Sequence, residues 1–305
     1  MSDKKILMTG ATGYIADQLL PTFREAYDMV LVDVTEKNRQ GNRVEGVVIA
    51  DLIDPDRSRY AKLFDGVDAV VHLAYKRRAG EPLDHFFDEK QNVEMAYNVL
   101  RCAYEAGVPR VAMASSNHAA DWYEHALIHE RKLEVLDPYT LPLSDNFYGW
   151  AKATYEHLGF LFACGGMGAR QQGAEQHTGQ QLDTSRKMGV VMVRIGAPRE
   201  LDAAMYAGDT GTYKRDLGAY ISPRDLTQLF TRAIEAESIE NENHVPWQVV
   251  YGISNNTRAF WSLSNARRVL GYQPEDDSEV KFAADIRGLL AGAGSSGGVG
   301  RVGLA

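Results

Sequence analysis

Ile6-Leu-Met-Thr-Gly-Ala-Thr-Gly-Tyr-Ile-Ala16 decides the fold. An apolar run breaks into Thr9-Gly10-Ala11-Thr12-Gly13 and resumes with helical spacing through Ile15, Leu19 and Leu20, which predicts a strand turning tightly into a helix. Glycine has no Cβ, so the backbone at Gly10 and Gly13 can bend sharply and approach a phosphate, while the unpaired amides of the first helical turn supply donors and a partial positive charge. A pyrophosphate would sit there. Met29-Val-Leu-Val-Asp33 reads as a second strand ending in an acid, and Asp33 follows Gly13 by 20 residues, the usual interval to the carboxylate that holds an adenosine ribose. The alternative, a tight turn with no ligand, is disfavoured by this conjunction.

The rest of the composition fits such a protein. A chain of 305 residues with 45% hydrophobic content can bury a large core, as one big domain or two intimately joined ones. Its formal net charge of −8 argues against nucleic acid or an anionic membrane as partner, although local basic clusters can still face an acidic small molecule. Cys102 and Cys164 are too few for a disulfide framework or a zinc cage, so a reducing cytoplasm is expected. With the first strand starting near Lys5 and no apolar run approaching ~20 residues, neither a signal peptide nor a membrane span is expected.

Further along, Gly46 to Leu52 is a short β-branched strand ending at Asp51, near where an adenine would lie. Asp56 to Phe64 has helical character, and Ala69-Val-Val-His-Leu-Ala74 reads as a fourth strand buried on both faces, its end at Ala74 and Tyr75 facing the nicotinamide half of a dinucleotide. A long helix from about Leu83 to Ala106, with Asn92 inside it, closes at Gly107-Val-Pro109; Val111 to Ser116 is a fifth strand. Residues 122–146 read as irregular, and a helix begins near Phe147. Strands alternating with helices predict an α/β fold with a doubly wound parallel sheet and ligands at the strand C-termini. Residues 1–196 would form the nucleotide-binding domain, interrupted by a Gly- and Gln-rich, mobile excursion at 164–187 before a sixth strand at 189–196. Residues 197–290, with helices at Pro223–Ala236 and Leu263–Leu270, would form a small substrate-capping region, and 291–305 a flexible tail or subunit contact.

Tyr148 and Lys152 lie four apart on a helix and so share a face. An ammonium near a phenol favours the phenolate, so Tyr148 could serve as general base toward a hydroxyl, with Ser116 hydrogen-bonding the same oxygen. By spacing alone a Tyr-x-x-x-Lys is common and usually means a half-buried Tyr beside a solvated Lys; after a dinucleotide fold and a strand-ending Ser-Ser, the catalytic reading is preferred. His72 reads as a packed, hydrogen-bonded residue. His125 and His129 have i, i+4 spacing but no third ligand, so no metal is expected. Tyr251, Phe260, Trp261 and Tyr272 read as core.

Thr9 to Gly13, Asp33, Asp51-Leu52, His72-Leu-Ala74, Ser115-Ser116 and Tyr148-Gly-Trp-Ala-Lys152 resemble the extended short-chain dehydrogenase/reductase superfamily, with its Rossmann-type fold, over residues 4–290. Ala114-Ser-Ser-Asn-His118, Val193-Arg-Ile-Gly196, Val250 to Asn255 and Ser264 to Tyr272 look like the branch holding uronate dehydrogenases and haloarchaeal NAD-dependent glucose-6-phosphate dehydrogenases, which oxidise the anomeric carbon of a sugar to a lactone. The resemblance implies NAD as cofactor, held by Gly10, Thr12, Gly13, Tyr14, Ile15, Asp33, Asp51, Leu52, Leu73, Ala74, Tyr75, Asn92, Tyr148 and Lys152. It makes Tyr148 the base, Lys152 its electrostatic partner and ribose ligand, and Ser116 the orienting hydroxyl; Asn117 and His118 would contact sugar hydroxyls and Arg215 the substrate acid group. Pairing through the helices near 86–106 and 147–163 would give a homo-oligomer.

Three departures bear on the substrate. The family's Ile-Gly-Ser is Ile195-Gly196-Ala197, which removes a donor. Tyr75-Lys76-Arg77-Arg78 replaces a small, polar segment and adds up to three cations, Arg77 among them, at the mouth of the site; alternatively it is a solvated loop end. The 164–187 excursion and the long 119–146 segment are extra. A uronate-like sugar is the first expectation, with a sugar phosphate or sulfosugar suiting the added cations. Rival readings are a nucleotide-sugar epimerase or dehydratase, for which the region after Ile195 is short, and a non-catalytic NAD-sensing regulator, against which the intact Ser116, Tyr148 and Lys152 speak. Asp33 would repel the 2′-phosphate of NADP, with Arg39 nearby as the counter-argument.

Overall fold

A computed structural model of the chain describes residues 3–165, 186–206 and 208–292. The chain winds through β1 (Lys5–Thr9), α1 (Tyr14–Ala26), β2 (Asp28–Asp33), β3 (Val47–Ile49), β4 (Ala69–His72), α2 (His85–Glu105), β5 (Arg110–Ser116), α3 (Phe147–Ala163), β6 (Gly189–Ile195), α4 (Thr210–Ala219), α5 (Pro223–Glu235) and β7 (Trp247–Gly252). All seven strands are parallel, in the order β3-β2-β1-β4-β5-β6-β7. This is a Rossmann-type sheet, and its winding reverses between β1 and β4, where a ligand crevice opens outside the strand ends.

Each strand feeds two cores because successive side chains point to opposite faces. Ile6 and Met8 pack with Leu19 and Phe23 of α1 and Leu226, Leu229 and Phe230 of α5. Leu7 joins Val99 of α2 and Tyr155 and Phe162 of α3 on the other face. Full burial of a side chain such as Leu7 or Phe23 contributes about 2 kcal/mol. Beneath the C-terminal region, Leu201, Tyr213, Leu217, Tyr220 and Phe282 form a third, smaller core.

Several elements differ from the sequence expectation. Asp56 to Phe64 forms two 3₁₀ turns, Arg57–Arg59 and Ala61–Phe64, because Asp56 caps the first through Ser58 and the segment is too short for an α-helix. The third strand keeps only Val47–Ile49. Residues beyond 196 supply α4 and also β7, whose pairing with β6 extends the nucleotide-binding sheet itself. Tyr251, Trp261 and Tyr272 are core, as expected. Most of the 164–187 excursion and of the 291–305 tail lies outside the described residues. No described helix is long and apolar enough to cross a membrane.

Candidate active site

The turn after β1 brings two strand ends into close approach in the crevice. Gly10 has φ +68°, and a Cβ there would stand 2.6 Å from the Ala74 nitrogen and 2.8 Å from the Leu73 carbonyl carbon. Only glycine lets the ends of β1 and β4 meet this way. Gly13 begins α1 with no side-chain cap, which leaves the first-turn amides to a ligand. From this turn a cleft of about 1100 Å³ runs one way past Asp33, Asp51 and Leu52 and the other way past Leu73, Ala74 and Tyr75 to Ser116, His118, Tyr148 and Lys152.

At one end of the cleft the acid Asp33 is itself held. Asp33 Oδ2 accepts from the Thr12 amide (2.9 Å) and hydroxyl (2.8 Å), and Oδ1 accepts from the Val34 amide (2.7 Å). Arg39 also lines the cleft, 5.2 Å from the Tyr14 ring centre. Asp33→Asn removes the charge that repels a 2′-phosphate and leaves Arg39 to attract it. The ratio of kcat/KM for NAD to that for NADP should fall by about tenfold to a hundredfold. An unchanged ratio would mean that Asp33 does not read the ribose.

At the other end, α3 is set by its own first turn. Asn146 caps it by accepting from the Gly149 amide (2.9 Å). A Cβ on Gly149 would stand 1.9 Å from the His118 carbonyl oxygen, so the helix rests directly on the segment after β5. That contact carries Tyr148 into a ring of polar groups. Its ring centre lies 5.5 Å from that of Tyr75, 5.6 Å from that of His118, and 5.5 and 5.7 Å from the Arg78 and Lys152 cations. Burial raises the phenol pKa, while the Ser116 hydroxyl and Arg78 pull it down. Lys152 is almost wholly buried and donates to Ala114 O (2.9 Å); burial pushes its ammonium down to about 8, against the carboxylates Glu89 and Glu156. His118 shares its Nδ1 with Asp121 (2.6 Å), whose same oxygen also accepts from Asn146 (2.8 Å). An Nδ1–H tautomer set by Asp121 would keep Nε2 for a sugar hydroxyl.

Three expected ligands stand back from the cleft wall. Asn92 is buried on α2 and grips the backbone of Lys76 from both sides, with Oδ1 accepting its amide (2.8 Å) and Nδ2 donating to its carbonyl (2.9 Å). With its amide oriented to satisfy both ends, Asn117 donates to Ile195 O (3.0 Å) and accepts from Arg215 (2.5 Å). Arg215 is occupied. Its Nε and one terminal nitrogen meet both oxygens of Glu124 (2.7 and 3.0 Å), the other terminal nitrogen meets Asp216 (3.1 Å), and the guanidinium lies 5.3 Å from the Trp261 ring centre. Burial would raise the Glu124 pKa, but bonds from His129 and Arg215 hold it at about 2. Four of five guanidinium protons are thereby used, too many for a second, forked carboxylate.

Arg77 is different. It lines the cleft and makes no hydrogen bond or ion pair with any other described residue. Its neighbours are paired: Lys76 with Gln91 and Asp88, Arg78 with Glu89. His125 pairs with Asp145 and His129 with Glu124, and His72 receives or donates a bond at Thr9 Oγ1 (2.7 Å). The residues that sequence reasoning missed, Glu89, Asp121 and Glu124, are the buried acids behind the site.

The pattern of the NAD dependent epimerase/dehydratase family matches residues 6–245. The NAD-dependent glucose-6-phosphate dehydrogenase of Haloferax volcanii is 32% identical, over 90% of this chain and 95% of that protein. A uronate dehydrogenase of Pseudomonas syringae pv. tomato is 27% identical, over 92% and 85%. Among solved structures, a mutated uronate dehydrogenase superposes with a TM-score of 0.68 at 24% identity, covering 97% of this chain and 88% of that one. With four fifths of its length inside that pattern and its glycine turn, acid and Ser–Tyr–Lys set on one cleft, the chain belongs to the NAD dependent epimerase/dehydratase family.

Proposed function

We propose that this protein oxidises the anomeric carbon of an anionic aldose to a lactone, and that Arg77 rather than Arg215 reads the acid group. The observation that carries the reading is the pairing state of the two arginines: Arg215 is neutralised by the buried Glu124, whereas Arg77 faces the cleft without a partner among the described residues. The guanidinium of Arg77 can therefore fork onto a phosphate, sulfonate or carboxylate at the far end of the sugar. The Haloferax relative, named for glucose 6-phosphate, agrees with this.

Bound NAD supplies the hydride acceptor. Tyr148 takes the proton of the C1 hydroxyl, Ser116 orients that oxygen, and the Lys152 ammonium favours the phenolate that starts the step. As the hydride leaves C1, the carbon–oxygen double bond of the lactone forms. His118 fixes a neighbouring hydroxyl through Nε2. A screen of NADH formation over uronates, neutral aldoses, sugar phosphates and sulfosugars tests the reading. Arg77→Ala should lower kcat/KM for the anionic sugar by at least about tenfold, mostly through KM, and leave the neutral parent sugar little changed. Turnover confined to neutral sugars would overturn it, and no net NADH with any free sugar would favour the epimerase reading.

A further inference from the structure

We propose that Glu89 is the positioning residue of this site: one turn before Asn92 on α2, it holds the Tyr75–Arg78 segment against Tyr148 and acts as the internal counter-charge that sets the pH range over which Tyr148 and Lys152 work. The carboxylate is wholly buried. Oε1 accepts from the Tyr75 hydroxyl (2.7 Å) and stands 3.6 Å from Arg78 Nε, while Oε2 accepts from Asn92 (3.2 Å). Both residues that it holds touch the catalytic ring. Tyr75 meets Tyr148 edge to face at 86°, and Arg78 lies over it.

The groups around this centre come from every packed element. The segment after β4 brings Tyr75, Lys76 and Arg78; α3 brings Tyr148, Lys152, Tyr155 and Glu156; β4 brings His72, β5 brings Ser116, and the turn after it Asp121. The other two acids have close partners of their own. Glu156 is forked onto Arg194 (2.8 and 2.7 Å) and accepts from Ser115, and Asp121 is shared by His118 and Asn146. Glu89 is therefore the acid that balances Arg78 and Lys152 at the phenol. Inside the protein its charge is little screened. A negative charge there disfavours the Tyr148 phenolate and favours the Lys152 ammonium, so it acts on both groups in the same direction.

The proposal rests on the dehydrogenase reading only in taking Tyr148 as the base, and one arm of its test needs no substrate. Glu89→Gln keeps an oxygen for the Tyr75 hydroxyl and removes the charge. In the pH profile of kcat, on whichever sugar yields NADH, both limbs should move to lower pH, by about one unit, because removing the charge lowers the pKa of Tyr148 and of Lys152 alike. Ultraviolet titration of tyrosinate, with Tyr148→Phe as the reference, should show the Tyr148 phenol ionising at lower pH by a similar amount. Arg78→Gln removes the cation over the ring and should move the Tyr148 ionisation the opposite way, to higher pH. Unmoved limbs in Glu89→Gln, with kcat lowered equally at every pH, would reduce Glu89 to a structural residue and overturn the proposal. If that variant does not fold, an unmoved Tyr148 ionisation in Arg78→Gln would show that the segment Glu89 holds does not act on the phenol, and overturns it instead.

Discussion

Tyr148→Phe should cut kcat by about a thousandfold or more and leave NAD binding little changed. Phenylalanine keeps the ring that packs against Tyr75 and His118 and lies under Arg78, so the first turn of α3 and its Asn146 cap have no reason to move. What disappears is the oxygen proposed to take the anomeric proton. A positioned general base contributes about 10²–10⁴ in rate, and an unpositioned water replaces little of that. Steady-state NADH formation measures the loss, and calorimetric titration with NAD measures the binding. The two must separate: near-normal turnover with NAD bound normally would assign the proton to another group, with His118, 5.6 Å from the ring, the next to test.

Lys152 sharpens the same expectation. Its ammonium, pushed down to about 8 by burial, is charged at lower pH and neutral above that value. The contribution of that charge to activity is therefore present below about 8 and lost as the pH rises through it.

What could be read from the sequence and what could not divide along one physical line. Gly10, Gly13 and Asp33 were legible because the backbone demands that fix them are local: a strand end, a turn, a helix start and a fixed interval to the next strand end. Ser116, Tyr148 and Lys152 were legible because helical spacing and the β5 end place them before any tertiary packing is known. Partners were not legible. Glu124 lies 91 residues before Arg215, in a segment that read as irregular and coils into a π-turn, Glu124–Ile128, so nothing in the sequence announced that Arg215 is already paired. Glu89 sits in a charged stretch, Asp88-Glu-Lys-Gln91, that looks like a solvated helix face; only the fold turns that residue inward. The strand at Trp247–Gly252 was hidden for a related reason. Its neighbour β6 is remote in sequence, so by position the stretch falls in the capping region although it forms the edge of the same sheet.

Gly10→Ala should damage both stability and cofactor binding. Two costs add. At φ +68° an alanine pays the left-handed penalty of about 1–2 kcal/mol. The new Cβ would also stand 2.6–2.8 Å from the Leu73–Ala74 backbone, which cannot retreat freely because the Leu73 amide is bonded to Thr9 O (3.1 Å). Relief comes by parting the ends of β1 and β4, at the floor of the cleft where a pyrophosphate is expected. Together these should destabilise the protein by about 2–4 kcal/mol, lowering Tm by roughly 5 °C or more, and weaken NAD binding by at least about a hundredfold. Gly66→Ala separates the two costs. Gly66 has nearly the same φ, +66°, but open space where its Cβ would go, and it lies away from the cleft. That variant should lose about 1–2 kcal/mol and keep its NAD affinity. If Gly10→Ala bound NAD as well as Gly66→Ala does, the close approach of the two strand ends would not be what shapes the phosphate site.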